Sequence, residues 1–198
     1  MDEPQKTARP RWQRLILYVV AAALVIVGAK YLRKYVVLDN FGEVETGKIY
    51  RSGQLQPYQM EKLIRTLGIK TVINTREPNA RPDIVRREQE VCDRNGVRMV
   101  WLPMPGDGMG TYQQYDEAIA ILSEQTNLPV IVHCARGSYR TGAIIASYRV
   151  LVEGWSEEDA VREMYQYRAH LENHRLLPYL LEYFRQRRPD QQGVVSGG

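Results

Sequence analysis

Cysteine is scarce in this chain. Among 198 residues only Cys92 and Cys134 carry a thiol, too few for a disulfide framework. Excess basic charge is also scarce once the first segment is set aside. The formal net charge is +4, but residues 1–35 hold seven Lys/Arg (Lys6, Arg9, Arg11, Arg14, Lys30, Arg33, Lys34) against Asp2 and Glu3. The remainder carries 20 Lys/Arg against 21 Asp/Glu, a balance of −1. A nucleic-acid-binding domain would present a basic face, so that class of partner is excluded. No internal repeat is present, so the chain is not a repeat array. What remains is a length suited to one domain plus a short appendage, with 44% hydrophobic residues to build a core.

One long run lacks charge altogether. Residues 15–29 (LILYVVAAALVIVGA) are bracketed by Arg14 and Lys30, with Trp12, Tyr18 and Tyr31 near the ends. Allowing for snorkelling flanks, residues 12–32 are long enough to span a bilayer. The segment is apolar all round and lies outside the rest of the domain, which argues against a buried core helix. A cleaved signal peptide is the rival, because Val27-Gly28-Ala29 has the form of a cleavage site. The basic collar of Lys30, Arg33 and Lys34 favours a single-pass N-terminal anchor over residues 1–35. Four and three Lys/Arg flank the two ends, so charge sets no orientation.

The next residues alternate between two periodicities. Short extended pieces around Glu45-Thr46-Gly47 predict a hairpin. An amphipathic helix covers 57–67, closed by Gly68. A β-branched strand covers 69–74, and a polar loop with Pro78 covers 76–81. A helix over 82–95 begins on proline and ends before Gly96. A strand follows over 97–102, then a Gly/Pro-rich loop over 103–110 and a helix over 112–125. Beyond the strand that ends at His133, helices are predicted over 141–153, after the cap Ser156, and over 173–187. The Gly/Ser/Gln-containing tail 189–198 has little to bury and is expected to be disordered. The class is α/β with a mainly parallel sheet, and function belongs at the strands' carboxyl ends. The domain runs over 36–188.

The chemistry concentrates in Pro129-Val-Ile-Val-His133-Cys134-Ala135-Arg136-Gly137-Ser138-Tyr139-Arg140-Thr141-Gly142. A buried strand runs into a tight loop and then a helix. Such a loop turns free N–H groups inward at a helix N-terminus, where the dipole adds positive charge. The result is a cradle for a phosphate-sized anion, lined by Ala135, Arg136, Gly137, Ser138, Tyr139 and Thr141. Gly137 permits the tight turn. Arg140 can grip two oxygens with its planar fork, which a lysine cannot do. The groups that would bind the anion also favour a Cys134 thiolate, the form that attacks phosphorus.

His133-Cys134-x-x-Gly137-x-x-Arg140-Thr141 resembles the signature of the cysteine-dependent tyrosine and dual-specificity phosphatases. Tyr50-Arg51-Ser52-Gly53, Gly68-Ile69-Lys70-Thr71-Val72-Ile73-Asn74 with Arg76, and Gly154-Trp155-Ser156 extend the likeness. Over residues 41–183 the chain is similar to the atypical dual-specificity phosphatases of plants, fungi and bacteria. The resemblance implies a central sheet of four or five strands flanked by helices. It implies hydrolysis of phosphate esters through a phosphocysteine intermediate, without metal or cofactor. Cys134 maps onto the nucleophile and Arg140 onto the phosphate clamp. Thr141 is implied to hydrogen-bond the sulfur and His133 to brace the loop. Ser138 and Tyr139 stand where plant and fungal members carry Lys/His, which weighs against an inositol pyrophosphate. Phosphoproteins, phosphoinositides and inositol phosphates are the implied substrate classes.

Asp107, on the mobile-looking loop after the preceding strand, is the candidate general acid, with Asp116 as the alternative. An Asp-Gly turn would be the structural reason for Asp107. Arg76 and Arg136 are candidate substrate contacts. Cys92 occupies, by resemblance, the place of a cysteine that pairs with the nucleophile in the animal lipid phosphatase tumour suppressor. Its apolar helix face gives it an alternative role in packing. Two other functions fit a cysteine in an anion loop. One is a phospho-binding pseudophosphatase, the other a sulfur-transfer or arsenate-reducing enzyme.

Overall fold

The computed structural model describes residues 11–77, 82–172 and 174–188. Part of the polar loop 76–81, Asn173 and the tail 189–198 lie outside them. Five strands form one sheet: β1 (Gly42–Glu45), β2 (Ile49–Ser52), β3 (Thr71–Asn74), β4 (Arg98–Trp101) and β5 (Val130–His133). Their order is β1-β2-β5-β3-β4. Only the β1/β2 hairpin is antiparallel; the other three pairings are parallel. The last strand in sequence is therefore central in space. Its C-terminal residue, His133, sits in register between Ser52 and Asn74. Three strand ends converge where the signature loop begins.

Alternation along β5 supplies two cores. Val130 and Val132 join an apolar cluster with Ile49 and Ile73. Ile131 points the other way, with Tyr50 and Val72. The second face is covered by α2 (Pro57–Leu67) and α3 (Pro82–Arg94). The first is covered by α4 (Tyr112–Ser123), α5 (Tyr139–Leu151), α6 (Glu157–Gln166) and α7 (Leu176–Arg187). Residues 141–150 of α5 are all buried, so the helix behind the signature loop has no solvent stripe.

Most boundaries follow local chemistry. α2 ends at Gly68 in the left-handed conformation, φ 65°. Ser156 caps α6 by accepting from the Asp159 amide at 3.1 Å. Several helix limits differ from the sequence expectation; α3 ends at Arg94 and α5 at Leu151, one and two residues early. α4 stops at Ser123, because Glu124 is extended and its carboxylate accepts the Thr126 amide to start a short 3₁₀ turn (Gln125–Asn127). α5 begins at Tyr139 rather than at residue 141, inside the signature. α7 begins at Leu176, whose amide donates to His174 Nδ1 at 3.1 Å.

The chain divides into two compact units, Met1–Val37 and Leu38–Gly198. In the first, α1 (Arg11–Val36) is a 26-residue helix. Over Arg11–Lys30 it is long and apolar enough to cross a membrane, and none of that stretch is buried. A signal sequence near the N-terminus has the same properties.

Candidate active site

The loop from His133 to Tyr139 folds around the Cys134 sulfur. Gly137 donates its amide to Sγ at 3.0 Å. Its φ is +71°, and a Cβ there would lie 2.6–2.7 Å from the backbone of Ser52 and Gly53. No other residue fits both constraints. The buried Arg51 donates to the Gly137 carbonyl at 2.9 Å, and its Cζ lies over the Tyr167 ring, 3.6 Å from the centroid. Burial pulls the Arg51 guanidinium down to about 10, against the opposing charge of Glu163.

Burial of Cys134 on its own would push the thiol up. The Thr141 side chain and amide, the charge of Arg140 and the Arg136 amide outweigh it, and the thiol is held below its ordinary 9.0. Thr141 Oγ1 is buried without a regular hydrogen bond, so its proton is free to turn toward an ionised sulfur. Arg140 is half-buried. Its Nη1 donates to the Thr75 and Met104 carbonyls at 3.3 and 3.4 Å, just beyond β3 and β4. Nε and Nη2 hold no protein acceptor among the described residues, so the fork keeps donors for an anion. A cavity of about 240 Å³ opens here, lined by Gly106, Cys134, Ala135, Arg136, Ser138, Tyr139 and Arg140.

Behind the nucleophile, His133 is fully buried. Its Nε2 makes a short contact with Glu88 Oε1, and Nδ1 faces the Cys134 carbonyl at 3.4 Å. Burial alone would lower the imidazole, but the Glu88 carboxylate beside it prevails and raises it, favouring the imidazolium. Glu88 Oε2 accepts from Gln54 at 3.1 Å and Asn74 at 3.2 Å. Arg76 donates to the Gln54 side-chain carbonyl at 3.2 Å, so it braces this network. Sequence reasoning missed Glu88. The available signal was an acid on the apolar face of α3, three and four residues before Val91 and Cys92.

Asp107 is exposed. It does not line the cavity; its neighbour Gly106 does. Its Oδ1 accepts the Met109 amide at 2.9 Å, so the Asp-Gly turn is present. The loop is pinned by Tyr115 to the Gly108 carbonyl and by Tyr179 to the Gly110 carbonyl. Asp116 is removed as the alternative acid. It accepts from Tyr183 and from both Nε and Nη2 of Arg187, and Arg187 holds its carboxyl below the usual range. Ser138 and Tyr139 have local partners: Ser138 Oγ accepts from Asn40 at 3.0 Å, and Tyr139 donates to the His170 carbonyl and stacks on His174. Cys92 is a free, buried thiol in the α2/α3 cluster, pushed up to about 12 by burial.

A thiol held low by amides and an arginine, at the end of a central parallel strand, is an arrangement suited to attack on a bound phosphate ester. The comparison with known proteins agrees. The model of the "Tyrosine phosphatase family" matches residues 35–191, and the chain belongs to that family. The dual specificity protein phosphatase TpbA of Pseudomonas aeruginosa (strain PAO1) is 28% identical over 77% of this chain and 71% of its own length. The inositol diphosphatase DSP3 of Arabidopsis thaliana is 28% identical over 63% of this chain and 60% of its own. Across the first curated relatives the matches span from 49% to 71% of the relative's length. Among solved structures, the core catalytic domain of the PP-IP phosphatase SIW14 from S. cerevisiae, in complex with citrate, superposes with a TM-score of 0.63. It is 22% identical, over 76% of this chain and 90% of that one, and supports the fold.

Proposed function

We propose that this protein is a membrane-anchored phosphatase that hydrolyses phosphate monoesters through a phosphocysteine. The phosphoryl oxygens are received by the inward amides of the signature loop and by the open donors of Arg140. The Cys134 thiolate attacks phosphorus, and the P–O bond to the leaving group breaks as the S–P bond forms. Asp107, next to the cavity-lining Gly106, protonates the departing oxygen, then takes a proton from the water that releases phosphate. The observation that carries this is the Cys134 sulfur, which accepts the Gly137 amide at 3.0 Å and lines one cavity with Arg140.

Residues 1–35 serve as the anchor, 36–188 as the catalytic domain and 189–198 as a tail. Among the described residues, the cationic groups lining the cavity are Arg136 and Arg140, which suits a single phosphate on a protein or lipid headgroup better than a densely charged pyrophosphate. Hydrolysis of para-nitrophenyl phosphate in the presence of a chelator tests the reading. Activity lost in Cys134→Ser and Arg140→Lys supports it. A protein that binds phosphate without turnover would be the pseudophosphatase. One that moves sulfur or reduces arsenate would belong to the third class. Activity that survives both substitutions would overturn the assignment of the nucleophile and clamp.

A further inference from the structure

The short link between α1 and β1 reaches the signature loop. Asn40 follows the last helical residue of α1 by four positions in sequence. Its backbone is left-handed, φ 47°, a conformation asparagine adopts more readily than most residues. This presents the side-chain amide to three distant acceptors. Nδ2 lies 2.8 Å from the Arg136 carbonyl, 3.0 Å from Ser138 Oγ and 3.2 Å from the Tyr167 carbonyl.

The first two acceptors flank Gly137, whose amide points at the Cys134 sulfur. The third belongs to the residue whose ring supports Arg51, and Arg51 in turn holds the Gly137 carbonyl. The contacts close a ring: Asn40 to the loop, the loop to Arg51, Arg51 to Tyr167, and Tyr167 back to Asn40. Next door, the Asp39 carbonyl accepts the Gly53 amide, and Gly53 packs so close to Arg136 that a Cβ there would sit 3.1 Å from its carbonyl carbon. The peptide that carries the Gly137 amide and the peptide after it are therefore each held at the carbonyl. One grip comes from the buried Arg51 and the other from Asn40.

We infer that Asn40 is a positioning residue for the nucleophile. It holds the Arg136–Ser138 stretch in the shape that turns the Gly137 amide onto the Cys134 sulfur, and so makes the link after the apolar helix part of the catalytic device. This rests on the phosphatase reading above, and the test separates the two.

Two substitutions are made in the full chain. Asn40→Gly keeps the left-handed backbone cheap and removes the amide; Asn40→Asp keeps the shape and removes the donor. The first readout is alkylation of Cys134 by iodoacetamide across pH, assigned by peptide mass, which needs no turnover. The expected result is slower alkylation at mildly acidic pH, by about tenfold, one pKa unit. The second readout is hydrolysis of para-nitrophenyl phosphate, with kcat falling by about 10- to 100-fold and KM changing by much less. Thermal melting identifies any variant that fails to fold, and the other variant then decides. Asn40 as a mere staple of the link would lower the melting temperature and leave alkylation and kcat of the folded protein within about twofold of the parent. That result would overturn the inference. Slower alkylation in the variants, with a parent that shows no turnover, would leave Asn40's role standing and sink the phosphatase reading alone.

Discussion

Glu88 offers a sharp test of how the site is held. It is buried, and it carries three partners: His133, Gln54 and Asn74. In Glu88→Ala the imidazolium loses its counter-charge and two amides lose their acceptor. Removing one partner of a buried ion pair costs about 3–5 kcal/mol. For a domain of this size, each kcal/mol shifts the melting temperature by about 2–4 °C, so a fall of about 6–20 °C is expected. Glu88→Gln keeps the shape and one acceptor oxygen. Its cost is that of a weakened buried hydrogen bond, about 1–3 kcal/mol. The pH dependence carries the mechanism. His133 is raised above its ordinary 6.5 in the folded state. Its pair with Glu88 therefore stabilises the protein fully below about pH 6.5, and this contribution is lost as pH rises through the folded pKa. The gap between parent and Glu88→Gln should be widest at about pH 6 and should narrow in alkaline buffer. The assay is thermal melting by circular dichroism at both pH values. Melting of Glu88→Gln within about 1 °C of the parent at both would refute the ion pair, because that shift lies below the cost of one buried hydrogen bond.

Three further outcomes are expected. Asp107→Asn should lower turnover by about 10²–10⁴ on poor leaving groups and by much less on activated aryl phosphates; equal losses would assign Asp107 to its turn with Met109. A chain beginning at Val37 should be soluble and as active as the full chain on small substrates, and carbonate-resistant membrane association of that shorter chain would remove α1 as the anchor. After mild peroxide and then dithiothreitol, the parent should recover and Cys92→Ser should not, if Cys92 captures the oxidised nucleophile in a disulfide. Equal recovery would leave Cys92 as packing in the α2/α3 cluster.

The parts legible in sequence are those set by near neighbours. The amphipathic stripe and Gly68 gave α2, and the spacing of Cys134, Gly137 and Arg140 located the loop that lines the cavity. The start of α5 inside the signature was not legible, because Ser138 accepts the Gly142 amide at 2.7 Å and its own hydroxyl is taken by Asn40. Arg51 stood in a quoted motif but without a role, since its partner Gly137 is 86 residues away. Glu88 and Asn40 also have distant partners, His133 at 45 residues and Arg136 at 96. A polar residue announces a distant partner only by appearing on an otherwise buried face, as Glu88 does. Asn40, in a link with no periodicity, gives no such signal.

The central place of β5 also sets an order of events during synthesis. β2 and β3 do not pair with one another; each waits for β5. Until residue 133 has left the ribosome, the growing chain holds two half-made sheets with open edges, the kind of surface on which nascent chains stick to their neighbours. Insertion of one strand then closes both edges through contacts distant in sequence, a slow step by topology. The same step brings Ser52, Asn74 and His133 together. Completion of the sheet and the birth of the nucleophile site are thus a single event, and a chain arrested before it would have neither the joined sheet nor a reactive cysteine.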